Sequence, residues 1–187
     1  MSDTKQRIMS AARLTVQARG YSGLSFRELA KEVGIKSASI HHYFPTKGEL
    51  GGALAERYTS DFAALLDGFL AESLDTETCM RKYTEVFRNT LLNENRMCLG
   101  GIMAAEYTDL PVEVRAEVVK FSEANVRWLA QVLSREKASG VPSKAIQDRA
   151  LAIFAAIQGA QLVSRSRNDI SAYDKMVAAY RTAGLLP

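Results

Sequence analysis

Gly34 separates two short stretches whose apolar residues recur at helical spacing, and this punctuation constrains the fold more than any other feature. In SFRELAKEVGIKSASIHHYFPTK, residues 25–47, Leu29, Ala30 and Val33 form one stripe of a helix predicted over 26–33. Ser25 is its expected N-cap, with Glu28 completing a capping box. Gly34 stops it, as a residue tolerant of positive φ does just past a helix end. Ser37 is expected to cap a second short helix over 37–43, and Pro45 ends that one because the residue before a proline avoids the α region. Thr46 with Glu49 repeats the capping-box spacing at the start of a further helix. Helix, tight glycine turn, helix is the helix-turn-helix arrangement. A preceding amphipathic stretch, 4–19, supplies a third helix, with Thr4 as expected N-cap and Gly20 at its end.

Beyond Lys47 the pattern stays helical. Apolar spacing predicts helices over 47–70, 76–92, 97–107, 111–138, 143–166 and 170–184, with breaks at Asp75, Asn93–Asn95, Asp109–Pro111, Ser139–Pro142 and Asn168–Asp169. The expected fold is all-α, about nine helices, divided into a helix-turn-helix domain at 1–46 and a larger helical domain at 47–187. Hydrophobic residues make up 47% of the 187, enough for a buried core. The opening residues are polar and charged throughout, unlike a secretory signal. No apolar run approaches the roughly 20 residues needed to span a bilayer, so no membrane association is expected. Two cysteines outside a secretory context point to the reducing cytoplasm.

Charge is lopsided. Residues 1–58 hold nine Lys/Arg against five Asp/Glu, +4, while the chain as a whole is +3, so the remainder is −1. A basic N-terminal third fits an anionic partner for that third alone. Both histidines, His41 and His42, lie in it side by side. On a helix, adjacent side chains diverge by about 100°, so the two do not close on one metal as an i, i+4 pair does. Cys79 and Cys98, 19 residues apart, do not have zinc spacing. No metal, cofactor or catalytic constellation is expected.

The segment from Gly23 to Leu50, with Gly34, Phe44, Lys47 and Leu50 at their spacing, resembles the DNA-binding signature of the TetR family of bacterial repressors. The resemblance covers roughly residues 5–57. It implies an all-helical homodimer that binds double-stranded operator DNA and releases it when a small molecule occupies the second domain. A recognition helix enters the major groove by its N-terminal residues, here Lys36, Ser37, Ala38 and Ser39, with Ser25 nearby. Arg27 has the reach and bidentate fork for a guanine edge. His42, Tyr43 and Lys47 look like the family's phosphate contacts, and Lys47 begins a helix whose free N–H groups favour an anion. His41 stands where the family often has Tyr, and Ala38 where it often has Gly. His41 presents less apolar surface to a thymine methyl, so the base preference there stays open.

In the second domain, MCLGGIMAAEYTDL (97–110) holds two adjacent glycines, each costing about 1 kcal/mol in a helix against alanine. Close packing or a kink beside a cavity would offset them. Cys98, Ile102, Met103, Glu106 and Tyr107 lie at helical spacing, and Phe121 and Trp128 are expected to face them, a set suited to a small, partly apolar effector. An ordinary core stripe has the same appearance. Cys98 beside Arg96 also raises a thiol sensor of electrophiles or oxidants. The small residues Ala152, Ala155, Ala156, Gly159 and Ala160 permit tight helix pairing, and the resemblance assigns that helix to the dimer. Two other classes, a helical enzyme and a protein-interaction module without DNA binding, explain less. The first lacks a nucleophile, base and orienting group at recognisable spacing, and the second has no need of a basic helix-turn-helix.

Overall fold

Helices form where the apolar spacing puts them. The structure, a computed structural model, describes residues 3–72, 75–135 and 143–187. Among these, α1 (Asp3–Arg19), α2 (Phe26–Val33), α3 (Ser37–Tyr43), α4 (Lys47–Glu72), α5 (Thr76–Leu92), α6 (Leu99–Ala105), α7 (Val112–Ser134), α8 (Ser143–Arg167) and α9 (Ile170–Thr182) follow in order, with a 3₁₀ turn at Tyr107–Asp109. No described residue is in a strand. No helix among the described residues is long and apolar enough to cross a membrane.

The compact units do not follow chain order. One comprises Met1–Ser60 with Cys98–Phe121, the other Asp61–Met97 with Ser122–Pro187. In the first, Ile8, Ala12 and Val16 of α1 are buried, as are Leu29 of α2, Ile40 of α3 and Leu50 of α4. Burying each of the larger ones contributes about 1.5–3 kcal/mol. Gly34 ends α2 with φ 74°, and the Ile35 N–H reaches back to the Ala30 carbonyl at 3.0 Å, closing the turn between α2 and α3.

The second unit is built around aromatic residues that carry a polar handle. The Tyr83 hydroxyl donates to Asn125 Oδ1 at 2.9 Å, and its ring stacks on Trp128 with centroids 5.4 Å apart. Trp128 Nε1–H donates to the Leu66 carbonyl at 2.7 Å. The Tyr173 hydroxyl and the Gln161 amide donate to the Thr84 and Phe87 carbonyls of α5. All of these side chains are buried, and their polar atoms are matched as a dry interior requires. Arg149, near the start of α8, donates to the carbonyls of Gly184 and Leu185 past the end of α9, so these two helices run antiparallel.

Several local expectations are corrected. Ser25 has the extended backbone of an N-cap but makes no side-chain cap bond. Glu28 turns instead to Arg27 and Lys31, each at 3.2 Å, so the capping box does not close. Lys36, not Ser37, is the N-cap of α3, and Thr4 lies inside α1. Thr46 does cap, its Oγ1 accepting the Glu49 N–H at 3.0 Å. The helix expected over 97–107 is shorter. Cys98 caps it with Sγ, which accepts the Gly101 N–H at 3.2 Å, and it ends at Ala105 because Glu106 leaves the helix to bond elsewhere. Leu14 of α1 and Leu65 of α4 are exposed. The break expected at Ser139–Pro142 and the end of the helix expected to reach 138 lie outside the described residues.

Candidate nucleic-acid interface and the α6 segment

The α2–α3 pair turns polar side chains outward over an apolar base. Ile40 and Phe44 are buried, while Ser25, Arg27, Lys36, Ser37, Ala38, His41 and His42 are exposed, and Ser39, Tyr43 and Lys47 are half-buried. The pattern is what a seven-residue helix with one apolar side gives. Three short side chains, Ser37, Ala38 and Ser39, open its first turn, so a flat partner can approach the backbone closely.

The two histidines engage different neighbours. The His41 ring meets Phe26 edge-on at 4.9 Å, with Nδ1 3.2 Å from the Pro45 carbonyl. The His42 ring packs edge-on against Tyr43 at 5.3 Å. Among the described residues, no three of His, Cys, Asp and Glu come together as metal ligands. Arg27 projects into solvent, its side chain 81% exposed and paired along α2 with Glu28. Lys31 and then Arg27 hold the Glu28 carboxyl below its usual range by hydrogen bonding and charge.

Lys47 is placed differently from a free surface cation. Its Nζ donates to the Ser22 carbonyl at 3.3 Å and lies 4.6 Å from the centroid of the Tyr21 ring. Burial lowers its pKa, and the Glu106 charge opposes that shift. Burial, and then the Glu113 carboxylate, push the Tyr21 phenol up to about 12.

The residues expected around an effector are dispersed. Cys98, Ile102, Met103 and Phe121 are buried in the first unit. Phe121 lies against Gly100, where a Cβ would overlap its ring, so close approach offsets that glycine's helix penalty. The Tyr58 ring sits 5.5 Å from Phe121, and burial pushes its phenol up, with Cys98 adding to the shift. Glu106 does not join them: its carboxylate accepts from the Tyr21 and Ser22 backbone N–H groups and from the Ser22 hydroxyl. Tyr107 is exposed, under the Arg115 guanidinium at 5.6 Å. Trp128 lies in the second unit, against Tyr83.

Sequence reasoning passed over Tyr21, Ser22 and Glu113. The signal was present in α4, where Gly48, Gly51 and Gly52 fall within its first six residues. Glycines so placed disfavour a helix unless something needs the backbone bare, and Glu113, Val114 and Tyr21 occupy that space.

Residues 8–54 match the family model for bacterial regulatory proteins of the tetR family. The chain is similar to the transcriptional regulator AcuR of Cereibacter sphaeroides, 33% identical over 125 residues, 65% of this chain and 57% of AcuR. It is 24% identical over 135 residues to the HTH-type transcriptional repressor NemR of Escherichia coli K12, 70% of this chain and 67% of NemR. A crystal structure of a TetR transcriptional regulator from Legionella pneumophila superposes with a TM-score of 0.90 at 31% identity, over 98% of both chains.

Proposed function

The chain belongs to the TetR family of bacterial regulatory proteins, and from that premise we propose that it is a homodimeric, ligand-responsive repressor of transcription. It works in the cytoplasm, binding operator DNA through residues 1–46 and a small-molecule effector through residues 47–187. It regulates and does not catalyse. The observation that carries this most directly is the α2–α3 surface: a run of exposed polar and basic side chains set on buried Ile40 and Phe44. Ser25, Lys36, Ser37, Ala38, Ser39 and His41 face the major groove with Arg27 on a base edge. His42, Tyr43 and Lys47 take phosphates.

The exposed side of α8 supports the dimer. Leu151, Leu162 and Val163 are large, apolar and exposed there, and Ala155 and Gly159 between them allow close approach of a second copy. Two half-sites about one helical turn apart, ~34–36 Å, must be met at once, so affinity depends on the separation of the two recognition helices. An effector that binds the wrong separation more tightly releases the DNA; equal affinity for both would shift nothing. The continuous α4, Lys47–Glu72, is the element that carries the displacement. The effector is assigned to the neighbourhood of Cys98, Ile102, Met103 and Phe121, which share the first unit.

Selection of duplexes from a random-sequence library, followed by footprinting of the winner, tests the function. A two-fold-symmetric protected site is the expected result; failure to enrich any sequence refutes it. A second reading, thiol sensing, is favoured by Cys98 Sγ, which accepts a helix N–H at the start of α6. Its mark would be electrophile-driven release of DNA that Cys98→Ser abolishes.

A further inference from the structure

Cys98–Phe121 lies in the first compact unit with the helix-turn-helix, although it is remote from it in the chain. Two of its carboxylates meet the head. Glu106 Oε2 accepts the Tyr21 N–H, and Oε1 accepts the Ser22 N–H at 3.3 Å and the Ser22 hydroxyl. Gly20 makes this approach possible: its φ is 81°, and a Cβ there would stand 2.7 Å from both carboxylate oxygens. Successive N–H groups after a left-handed glycine form a small concavity that suits an anion. Glu113, in the first turn of α7, lies against the start of α4, where a Cβ at Gly48 would overlap its Oε1 and one at Gly52 would stand 3.6 Å from its Cγ. At Gly51 a Cβ would come within 2.6 Å of Tyr21 Cε2 and 2.9 Å of Val114 Cγ2. Lys47 completes the cluster through the Ser22 carbonyl and the Tyr21 ring.

Building on the DNA-binding function proposed above, we propose that Glu106 and Glu113 are positioning residues. They clasp the α1–α2 turn and the first turn of α4, and so set the orientation in which Lys47 and the α2–α3 pair meet DNA. Neither acid touches DNA; a negative charge on that face would repel it. Glu106 acts through Tyr21 and Ser22, and Glu113 through the bare backbone at Gly48 and Gly52. The carboxylate is favoured because each of its oxygens faces a backbone N–H, Oε2 that of Tyr21 and Oε1 that of Ser22. An amide of the same shape sets its own N–H groups against them.

The test uses the full-length protein and a duplex that the wild type selects from a random library. Glu106→Gln should weaken binding about tenfold, as loss of charge-assisted bonds does, and should speed amide exchange at Tyr21 and Ser22 above the change elsewhere. The slope of log affinity against log salt should stay at its wild-type value, because no phosphate contact is lost. Glu113→Ala, which removes the side chain packed on Gly48 and Gly52, should act in the same direction. Should Glu106→Gln fold poorly, Ser22→Ala removes only the hydroxyl contact at an exposed residue, and a smaller change of the same kind is expected. Unchanged exchange at Tyr21 and Ser22, or a fall in affinity matched by a general loss of protection, overturns the clasp. If the wild type selects no duplex, the DNA-binding function fails and takes the clasp with it. If the wild type selects one and the variants bind it equally tightly, the clasp alone fails.

Discussion

The Lys47 ammonium lies 4.6 Å from the centre of the Tyr21 ring and donates to the Ser22 carbonyl, so a cation assigned to DNA is also part of the α1–α2 turn. These two roles separate in measurement. Lys47→Ala should weaken binding to all duplexes alike and lower the salt slope by about one. It should also cost the free protein about 0.5–1 kcal/mol of stability from the lost ring contact. A salt slope unchanged in a titration across ionic strengths would remove Lys47 from the phosphate contacts.

Arg27 carries no such second role. Its side chain is 81% exposed and pairs, among the described residues, with Glu28 along its own helix, so Arg27→Ala should leave the melting temperature unaltered. Specific binding should fall by about 1–3 kcal/mol, with relaxed preference at one position of each half-site. Competition assays over single-base variants of the selected duplex distinguish this from a uniform loss.

The glycines of α6 and α4 predict opposite signs. A Cβ at Gly100 would overlap the Phe121 ring, and Gly100→Ala should destabilise by about 1–3 kcal/mol despite better helix propensity. Nothing lies within 4 Å of a Cβ at Gly68, so Gly68→Ala should stabilise by up to about 1 kcal/mol. Urea unfolding of the two variants side by side tests the pair; equal shifts would contradict the packing described.

Leu162, on the exposed side of α8, should be needed for association and not for folding. Leu162→Asp should yield a monomer in sedimentation analysis with its helical circular dichroism retained. Its operator affinity should fall steeply because one half-site no longer recruits the other. A variant that stays dimeric would move the interface off this face.

Arg88 Nε and a terminal nitrogen pair with both carboxylate oxygens of Asp174, at 2.8 and 3.0 Å, and hold its pKa below the usual carboxylate range. A depressed folded pKa means stability that is present above the unfolded value of about 4 and lost as pH falls through the folded one. Asp174→Asn should therefore flatten part of the acid limb of a urea-midpoint profile and change nothing in slope near neutrality. The pair is partly exposed, so added salt should shrink the difference.

The sequence by itself determined the helices and the polar outer surface of the α2–α3 pair. Apolar spacing is a local property of each segment, and Gly34, Pro45 and Thr46 act on their own backbone, so element boundaries were legible to within a few residues. Where side chains choose among partners, the chain was silent. The spacing that put Glu106 beside Met103 and Tyr107 on one helix could not tell that the helix stops at Ala105, or that two backbone N–H groups more than eighty residues earlier wait for its carboxylate. Trp128 offered an aromatic ring at the right period, but burial of its N–H demanded an acceptor, which the Leu66 carbonyl supplied while the ring stacked on Tyr83 in the second unit. Tertiary structure alone decided these partnerships. A buried donor or charge is satisfied by whatever the whole fold brings within about 3 Å, and no periodicity records which group that is.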